Sequence, residues 1–240
     1  MTNDAQSKIT EAPLPSKPTR FVSSIVVVMC AVWVALLFVL VRQSGEVLGQ
    51  TYLVLYALHL VALIVIVQIW NPALIVRRMR SPIEKGWDAI FTITVTAMLI
   101  AMVVVARHDL LTRDADLSPL GLYWLIGLCI FVFGWAILIW SMAMNPFFES
   151  YVRIQTNHGH HVIDSGPYAY VRHPGYIGFS ALLLSTPILL ASVWTALPSI
   201  IAVSALVTRT ALEDRMLQSD LPGYREYAGR IRYRLIPGVW

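Results

Sequence analysis

We predict an all-α, multi-pass integral membrane protein with about six transmembrane helices, four separate spans followed by a C-terminal helical hairpin. Hydrophobic residues make up 57% of the 240 positions and charged residues only 13%, a composition unlike that of a soluble domain. The apolar residues fall into runs of about 20, the length that crosses a bilayer. No segment has the pattern of a strand.

The first part of the chain is predicted to form a polar tail and four spans. Residues 1–20 are polar and proline-containing, so we expect a disordered tail. The first apolar run lacks a small-residue cleavage site, which favours an uncleaved helix over a signal peptide. Asn-Pro pairs close the second and fourth runs. The predicted spans are Phe21–Val41, Thr51–Trp70, Trp87–Ala106 and Gly121–Met144.

The last apolar run, Tyr176–Thr208, is too long for one ordinary span. Pro187 and Pro198 interrupt it, so we predict two helices of about 16 residues joined by a tight turn. Such helices are about 24 Å long, slightly short for a bilayer. The hairpin returns the chain to the side that it left, and it therefore places His173 and Arg209 at the same face of the membrane.

Lysines and arginines divide unevenly between the two sides of this topology. With both termini in the cytoplasm, all of the 18 basic residues lie in inner segments except Arg42, Arg107 and Arg113. The positive-inside rule therefore supports cytoplasmic termini, in a bacterial inner membrane or the endoplasmic reticulum. A single helix over the last run would place the arginine-rich tail outside. Membrane lipids explain the net charge of +4, so we expect no nucleic-acid partner.

The stretch Gly166–Tyr176, GPYAYVRHPGY, is a dense polar and aromatic cluster beside these apolar runs. Such a cluster at a membrane face is where chemistry is expected. The initial Gly-Pro pair indicates a turn, and Pro174 disfavours helix at the residue before it. Proline is tolerated in the first turn of a helix. We therefore expect Arg172 and His173 at the mouth of an apolar helix, on a non-helical approach.

The same stretch resembles the signature of the isoprenylcysteine carboxyl methyltransferase family, and more loosely the related phospholipid methyltransferases and sterol reductases. A second block, Arg209-x-x-x-Glu213-Asp214, and a tail, Gly223–Tyr227, follow in the same order. The resemblance runs from about Gln155 to Arg234, and it is more specific for the superfamily than for the substrate. The motif G-x-Y-x-x-x-R-H-P-x-Y-x-G is present as Gly166, Tyr168, Arg172, His173, Pro174, Tyr176 and Gly178.

The resemblance implies a membrane methyltransferase that uses S-adenosylmethionine. The implied reaction is methyl transfer to a lipophilic acceptor, above all carboxyl O-methylation of an isoprenylcysteine-like substrate. The catalytic region would comprise residues 145–240, with a cofactor loop, the helical hairpin and a cytoplasmic C-terminal helix, after four helices in residues 21–144. Aromatic faces attract a sulfonium cation by about 0.5–2 kcal/mol, so the tyrosines suit this cofactor.

Carried over residue by residue, the resemblance also implies the site. Arg209 is expected to bind the acceptor, Arg172 is grouped with it as catalytic, and no metal ion is expected. The expected cofactor contacts are Gln155, His160, His161, Val162, Ile163, Tyr168, His173, Pro174, Gly175, Tyr176 and Glu213.

Arg209 and Glu213 lie four residues apart on a helix and therefore share a face. An ordinary ion pair between them would contribute about 0.3–0.5 kcal/mol, and that pairing prefers the glutamate first, the reverse of the order here. The family pattern assigns them to different ligands, the arginine to the acceptor and the glutamate to the cofactor.

Plainer interpretations of these residues remain open. His158, His160 and His161 have a poor spacing for zinc and also fit a polar interfacial loop. The tyrosines of the motif are typical of an aromatic belt at the membrane surface, which we favour for Tyr170. The tyrosines and arginines after Gly223 are typical of an amphipathic helix on that surface.

Two other functions also remain open. One is an NADPH-dependent sterol-type reductase on the same scaffold, which the Arg-x-x-x-Glu block disfavours. The other is a non-catalytic membrane protein, which does not need a polar cluster at one face. The scarcity of charges inside the spans argues against an ion pathway. The acceptor and the oligomeric state are left open by the sequence.

Overall fold

The computed structural model describes residues 47–71, 74, 85–112, 121–155 and 159–240. Every regular element among these residues is helical, as predicted. The predicted tail 1–20 and first span Phe21–Val41 lie outside the described residues. The helices are α1 Val47–Trp70, α2 Gly86–Thr112, α3 Gly121–Met144, α4 Pro174–Leu189, α5 Ala196–Asp220 and α6 Tyr224–Arg230, with 3-10 turns at Gly166–Ala169 and Val193–Thr195.

The helices are those of an integral membrane protein. Four helical segments are long and apolar enough to cross a bilayer, and α4, with 16 residues, is shorter. Large apolar side chains point outwards along them: Ile69, Ile93 and Leu122 are each more than two-thirds exposed, at 68%, 69% and 68%. A soluble surface rarely carries such a band, whereas lipid tails accommodate it.

The bounds of the helices follow the predicted apolar runs. α3 has the predicted bounds. α1 begins about one turn before the predicted span, and α2 ends about two turns after it. The last run divides into two helices as predicted, although α4 continues two residues past Pro187. α5 is longer than predicted, because it runs beyond Thr208 to Asp220. These additional turns are polar and carry Arg209 and Glu213 away from the apolar layer.

Five helix ends meet at one end of the bundle, which we call the site end. After α1, the Asn71 side chain donates to the carbonyls of Met142 and Asn145 at the end of α3 (3.1 and 3.0 Å). In the first turn of α2, the Asp88 carboxylate accepts from the backbone N–H of Val152, which follows α3 (2.7 Å). α4 begins and α5 ends at the same level. The packing order across the bundle is α1, α3, α4, α5 and α2.

Glycines bring α3 and α4 into backbone contact. A Cβ atom on Gly178 would lie 2.6 Å from both the carbonyl oxygen of Gly134 and the amide nitrogen of Leu138. A Cβ on Gly127 would lie 2.9 Å from the side chain of Ile188. Small residues are the usual means of such close approach between membrane helices. The last glycine of the sequence motif therefore fixes α4, and with it the polar residues at its start, onto α3.

A serine compensates for the proline inside the hairpin. Pro187 has no N–H for the carbonyl of Leu183, four residues earlier in α4. The hydroxyl of Ser199 in α5 donates to that carbonyl instead (2.7 Å). An unpaired carbonyl within a membrane is costly, so this bond satisfies α4 and also joins it to α5.

The C-terminal segment differs from the predicted amphipathic surface helix. α6 has seven residues, and Tyr224 and Tyr227 are only 4% and 1% exposed. Both rings pack with Leu221 against Val162. The Tyr227 hydroxyl donates to the carbonyl of Tyr168 (2.8 Å). The prediction was wrong for these two tyrosines because the polypeptide, rather than the membrane surface, buries their rings and satisfies their hydroxyls.

Candidate active site

A continuous cavity of about 810 Å³ extends from the site end into the space between the helices. At the site end its lining is polar and aromatic and includes His161, Arg209 and Glu213. Farther into the bundle the lining is mostly apolar, with side chains such as Leu63 and Phe179. This volume lies within the range of small-molecule sites, about 300–1,000 Å³. The cavity therefore offers a polar compartment and an apolar one in continuity.

The motif residues Arg172 and His173 lie where the sequence predicted them, before the first turn of an apolar helix. His173 is the N-cap of α4 with non-helical backbone angles (φ −127°, ψ 59°), and Pro174 occupies the first turn. The backbone N–H groups of Arg172 and His173 donate to the carbonyls of Tyr233 and Arg234 (3.0 and 2.9 Å). The C-terminal tail is thus hydrogen-bonded to the motif.

Asp214 is the centre of the polar cluster at the site end. It is fully buried, and its Oδ1 accepts from Arg172 Nε (2.7 Å) and the Tyr224 hydroxyl (3.1 Å), with His173 Nε2 at 3.3 Å. Its Oδ2 accepts from Arg172 Nη2 (3.0 Å), Gln218 Nε2 (2.8 Å) and Arg234 Nε (2.8 Å). A buried carboxylate is tolerated only with such compensation. The cluster fastens α4, α5 and the tail together.

The guanidinium of Arg172 is almost fully engaged by the protein. It forms a bidentate pair with Asp214, and its Nη1 donates to the carbonyls of Ile231 and Arg232 (2.7 and 2.8 Å). Burial acts to lower the pKa of Arg172, but the hydrogen bonds and charge of Asp214 outweigh it and raise that pKa. Burial, followed by the charge of Asp214, also raises the pKa of the Tyr224 hydroxyl. Arg172 is therefore a charged crosslink with little capacity left for a ligand.

Glu213 immediately precedes Asp214 in α5, and its side chain lines the cavity. The Tyr176 hydroxyl donates to its Oε2, and His173 Nδ1 lies 4.0 Å from its Oε1. The rings of His173 and Tyr176 are stacked, with centroids 5.7 Å apart and planes within 5°. The arrangement presents a carboxylate and a flat aromatic surface side by side, which suits a cationic ligand.

Arg209 lies one turn before Glu213 but pairs with a different carboxylate. Its Nη2 is 3.0 Å from Asp88 Oδ1 and donates to the carbonyl of Ser150 (2.8 Å). Its guanidinium carbon lies 4.3 Å from the centroid of the Phe91 ring. The Nε atom of Arg209 is buried and has no hydrogen-bond partner in the described part of the chain. Arg209 therefore pairs across helices with Asp88 of α2, and not with Glu213 on its own helix as in the plain ion-pair alternative.

His160 and Gln155 close one wall of the polar compartment. The His160 ring stacks on Phe147 at a centroid distance of 4.4 Å, and its Nδ1 accepts from the backbone N–H of Gln155 (3.2 Å). The Gln155 side chain donates to the carbonyl of Phe147 (3.0 Å). Burial, with a smaller contribution from neighbouring His161, lowers the pKa of His160 to about 4. His160 is therefore neutral at physiological pH.

The cavity brings together most of the residues that the sequence assigned to the cofactor. Gln155 and Pro174 do not line the cavity, and they act on it through His160 and through the start of α4. Arg172 and Arg209 both line it. His158 lies outside the described residues. Those lining the cavity are His160, His161, Val162, Ile163, Tyr168, His173, Gly175, Tyr176 and Glu213.

Two acidic residues at the site were missed by the sequence analysis. Asp88 is fully buried, and its signal was a lone carboxylate in the first turn of a membrane-spanning helix, where ionisable residues are costly and commonly functional. Asp214 is part of the second motif block, but the sequence gave no reason to make it the partner of Arg172. Both were overlooked because each pairs with an arginine that is distant in the sequence.

These features define a multi-pass membrane protein with a ligand cavity that joins a polar compartment to an intramembrane one. A profile described as the isoprenylcysteine carboxyl methyltransferase (ICMT) family matches residues 125–219. A solved structure described as the eukaryotic intramembrane Ras methyltransferase ICMT without a monobody aligns with a TM-score of 0.56 and 17% identity, covering 91% of this chain and 81% of that chain. At this identity the likeness is one of fold. No match was found among curated proteins.

Residues 125–219 are thus similar to the isoprenylcysteine carboxyl methyltransferase family, and the fold is similar to that of an intramembrane methyltransferase. The profile covers most of α3, all of α4 and most of α5, a region that contains the glycine contacts, the Arg172–His173 motif and the Arg209–Glu213 block.

Proposed function

We propose that the protein transfers a methyl group from S-adenosylmethionine to the carboxylate of a lipophilic acceptor, an isoprenylcysteine-like acid or another lipid acid. The observation that carries this proposal is the continuity of the cavity. Its polar end accommodates a water-soluble donor and its apolar end accommodates a lipid tail, so both ligands can meet without either leaving its preferred medium.

The donor is assigned to the polar compartment. A charged amino group fits the Glu213 carboxylate, and a sulfonium fits the stacked faces of His173 and Tyr176. Neutral His160 offers a ring face and an N–H without adding positive charge next to a cation. Gly175 lets the start of α4 pack directly against the Phe148 ring, because a Cβ at this position would lie 2.4 Å from that ring. When bound, S-adenosylmethionine supplies an electrophilic methyl group on a positively charged sulfur.

The acceptor is assigned to Arg209. A guanidinium binds a carboxylate through parallel N–H donors without taking part in proton transfer. Its unpartnered Nε supplies one such donor. Asp88 and the carbonyl of Ser150 hold the rest of the group in place. Arg172 and Asp214 are positioning residues in this scheme, because they fix His173 and the start of α4.

The reaction needs no general base. A carboxylic acid is ionised at neutral pH, so the carboxylate oxygen forms the new bond to the methyl carbon while the carbon–sulfur bond breaks. The products are a methyl ester and S-adenosylhomocysteine, and no proton is transferred. The work of the protein is therefore alignment, exclusion of water and orientation of the carboxylate by Arg209.

We further propose that the site end faces the cytoplasm. The hairpin returns the chain to that end, and the arginine-rich tail after α5 packs there. The positive-inside rule therefore favours this end as the cytoplasmic one. A cysteine probe at Ser219 should resist labelling by an impermeant reagent in intact cells. A probe at Asp109 near the opposite end of α2 should be labelled.

A direct assay tests the proposed reaction. The purified protein is incubated with radiolabelled S-adenosylmethionine and lipid extract, and label in the lipid phase is tested for release as volatile methanol by alkali. Alkali-labile label identifies a methyl ester, whereas stable label indicates methylation of nitrogen, sulfur or carbon and contradicts a carboxylate acceptor. Oxidation of NADPH with an extracted lipid, and no label transfer, would favour the reductase instead.

Binding of the donor is tested separately from turnover. S-adenosylhomocysteine should stabilise the protein by about 2.7 kcal/mol at a hundredfold excess over its Kd. Glu213→Gln should reduce this stabilisation while leaving the melting temperature of the ligand-free protein nearly unchanged. An unaltered stabilisation in this variant would show that Glu213 is not a donor contact.

A further inference from the structure

The apolar compartment of the cavity contains a polar site that the proposed reaction does not use. Along α1, Tyr52, Tyr56 and His59 line the cavity at helical spacing on one face. Thr186 of α4 lines it opposite. These side chains lie within the membrane-spanning helices, where polar groups are costly and are retained for a reason.

His59 is the centre of this polar site. It is only 5% exposed, and its Nδ1 is buried without a hydrogen-bond partner in the described part of the chain. The surrounding rings of Tyr56, Phe131 and Trp135 lie 5.9, 6.0 and 6.4 Å away between centroids. The Trp135 Nε1 beside it also lacks a partner among the described residues. These tilted and edge-on aromatic neighbours hold the imidazole in place but satisfy neither of the two nitrogens.

Tyr52 and Thr186 extend the site with two hydroxyl groups. The Tyr52 hydroxyl and Thr186 Oγ1 are 3.0 Å apart and bridge α1 and α4. Thr186 Oγ1 also donates to the carbonyl of Leu182 (3.0 Å). A phenol and a threonine hydroxyl that bond each other retain lone pairs for a third group. Because Thr186 donates to Leu182 and Tyr52 therefore donates to Thr186, this part of the cavity wall offers hydrogen-bond acceptors to a ligand.

The distance of this site from the site end can be read from the helices. Trp135 lies nine residues before Met144, or about 14 Å along α3 at 1.5 Å per residue. Thr186 lies ten residues after Tyr176, or about 15 Å along α4. His59 lies twelve residues before Asn71, or about 18 Å along α1. A lipid whose carboxylate reaches Arg209 therefore passes the polar site with carbons roughly 14–18 Å from its reacting end.

We propose that this site recognises a hydrogen-bonding oxygen on the tail of the acceptor, so that the preferred substrate is a lipophilic carboxylate with an internal hydroxyl or carbonyl group. A plain hydrocarbon tail offers His59 no hydrogen-bond partner, so its buried Nδ1 stays unpaired, which is unfavourable in a low-dielectric environment. An oxygen at the right depth supplies the missing partner. Sites with a buried polar group discriminate strongly against an analogue that lacks the matching group.

This inference rests on the proposed function for the placement of the carboxylate, and its test separates the two. The probes are octadecanoate, its 12-hydroxy derivative and its 2-hydroxy derivative. The hydroxyl at carbon 12 lies roughly 14 Å from the carboxyl group in an extended chain, whereas the hydroxyl at carbon 2 matches its polarity in the wrong place. Dissociation constants are measured by tryptophan fluorescence of the purified protein in detergent, without a methyl donor.

The 12-hydroxy acid should bind about tenfold more tightly than either other acid, which corresponds to one recovered hydrogen bond of about 1.4 kcal/mol. His59→Phe should abolish the difference, and His59→Gln should retain part of it. Thr186→Val should reduce it. Leu63→Met, an apolar change in the same cavity wall, should leave it intact and serves as the control. If His59→Phe does not fold, the Thr186→Val and Leu63→Met pair decides.

Equal or tighter binding of octadecanoate overturns the inference, as does failure of every probe to bind or a preference that survives His59→Phe. Selective binding of the 12-hydroxy acid without methyl transfer to it would support the polar site and contradict the proposed reaction. Methylation of all three acids at equal kcat/KM would support the reaction and contradict the polar site.

Discussion

Two buried arginine–aspartate pairs occur among the residues that the structure describes, and they differ in how many of the arginine's nitrogens have protein partners. Arg172 bonds Asp214 through two nitrogens and two tail carbonyls through a third. Arg209 pairs with Asp88 and with one carbonyl, and its Nε has no partner among the described residues. The first pair lies among the polar segments beyond the apolar layer. The second includes Arg209, which lines the cavity at the site end.

In the proposed mechanism, this difference separates a structural crosslink, Arg172, from a ligand-binding group, Arg209. A saturated guanidinium surrounded by protein acceptors contributes to the integrity of the site end, and its removal leaves a buried carboxylate with too few partners. A partly satisfied guanidinium in a cavity wall can take a carboxylate ligand with little rearrangement. Both arginines lie in the motifs that resemble the family pattern, but their different contacts lead us to propose different roles for them.

Removal of the Asp214 charge should have the largest effect on stability. Asp214→Asn leaves Arg172 and Arg234 without their shared counter-ion, and breaking a buried pair typically costs about 3–5 kcal/mol. The melting temperature should fall by roughly 6–20 °C. Asp164→Asn is the matched control, since Asp164 forms an exposed pair with Arg230 (2.8 Å) that contributes about 1 kcal/mol or less. Similar losses in both variants would contradict the crosslink role.

Truncation of Arg209 should act mainly on turnover. Arg209→Ala should slow methyl transfer by roughly 10- to 150-fold, which is the loss of one charge-assisted contact of about 1.5–3 kcal/mol. S-adenosylhomocysteine should bind with nearly unchanged affinity, which also reports that the variant is folded. Arg209→Lys should restore only part of the rate, because an ammonium lacks the planar fork of donors. Normal turnover by Arg209→Ala would show that Arg209 does not bind the carboxylate of the acceptor.

Neutralisation of Asp88 should have a smaller effect on the same step. Asp88→Asn loosens the orientation of Arg209, so the KM for the acceptor should rise about three- to tenfold, equivalent to roughly 0.7–1.4 kcal/mol, with kcat little changed. Thr92→Ala, one turn along α2, is the control, because the Thr92 hydroxyl donates to the backbone carbonyl of Asp88 (2.9 Å) and not to its carboxylate. A lower KM in Asp88→Asn would mean that Asp88 competes with the acceptor instead of orienting its partner.

Lowering the pH should destabilise the cavity wall formed by His160 and Gln155 before it disrupts the pair between Arg172 and Asp214. Because burial lowers the pKa of His160 to about 4, the unfolded chain binds a proton there at a higher pH than the folded protein does. The free energy of unfolding should therefore decline as the pH falls from about 6.5 to about 4 and be fully present above that range. Hydrogen exchange of residues 147–160 against pH measures this decline. His160→Gln should remove it, and an equal decline in that variant would assign it to another group.

The sequence was sufficient for the outline of the fold because apolar runs and prolines are local signals. α3 begins and ends at the predicted residues, since Gly121 and the Asn145-Pro146 pair bracket one unbroken apolar run. The hairpin was likewise predicted from the length of its run. α5 was underestimated because its apolar residues end near Thr208, while the polar residues that follow are good helix formers and continue the same helix.

The sequence was less informative about pairing within the site. The pattern placed Arg209 and Glu213 on one face of a helix, which α5 confirms. It could not predict that Arg209 contacts Asp88, because that residue lies on another helix. The same limit applies to Tyr224 and Tyr227, since local composition cannot distinguish a membrane surface from a protein surface as the partner of an aromatic ring. Side-chain assignments between helices require the packed structure because they depend on contacts between residues far apart in the chain.

The bond from Ser199 to the carbonyl of Leu183 also constrains how this hairpin can evolve. If Ser199 is replaced first by a residue without a hydroxyl, the Leu183 carbonyl has no hydrogen-bond donor within the membrane, because Pro187 has no N–H. If Pro187 is replaced first by a residue with an N–H, the carbonyl gains a partner inside α4, and the serine is then free to change. Mutations at the two positions are thus tolerated in one order and not in the other, so descendants that keep the proline should keep a hydroxyl at position 199.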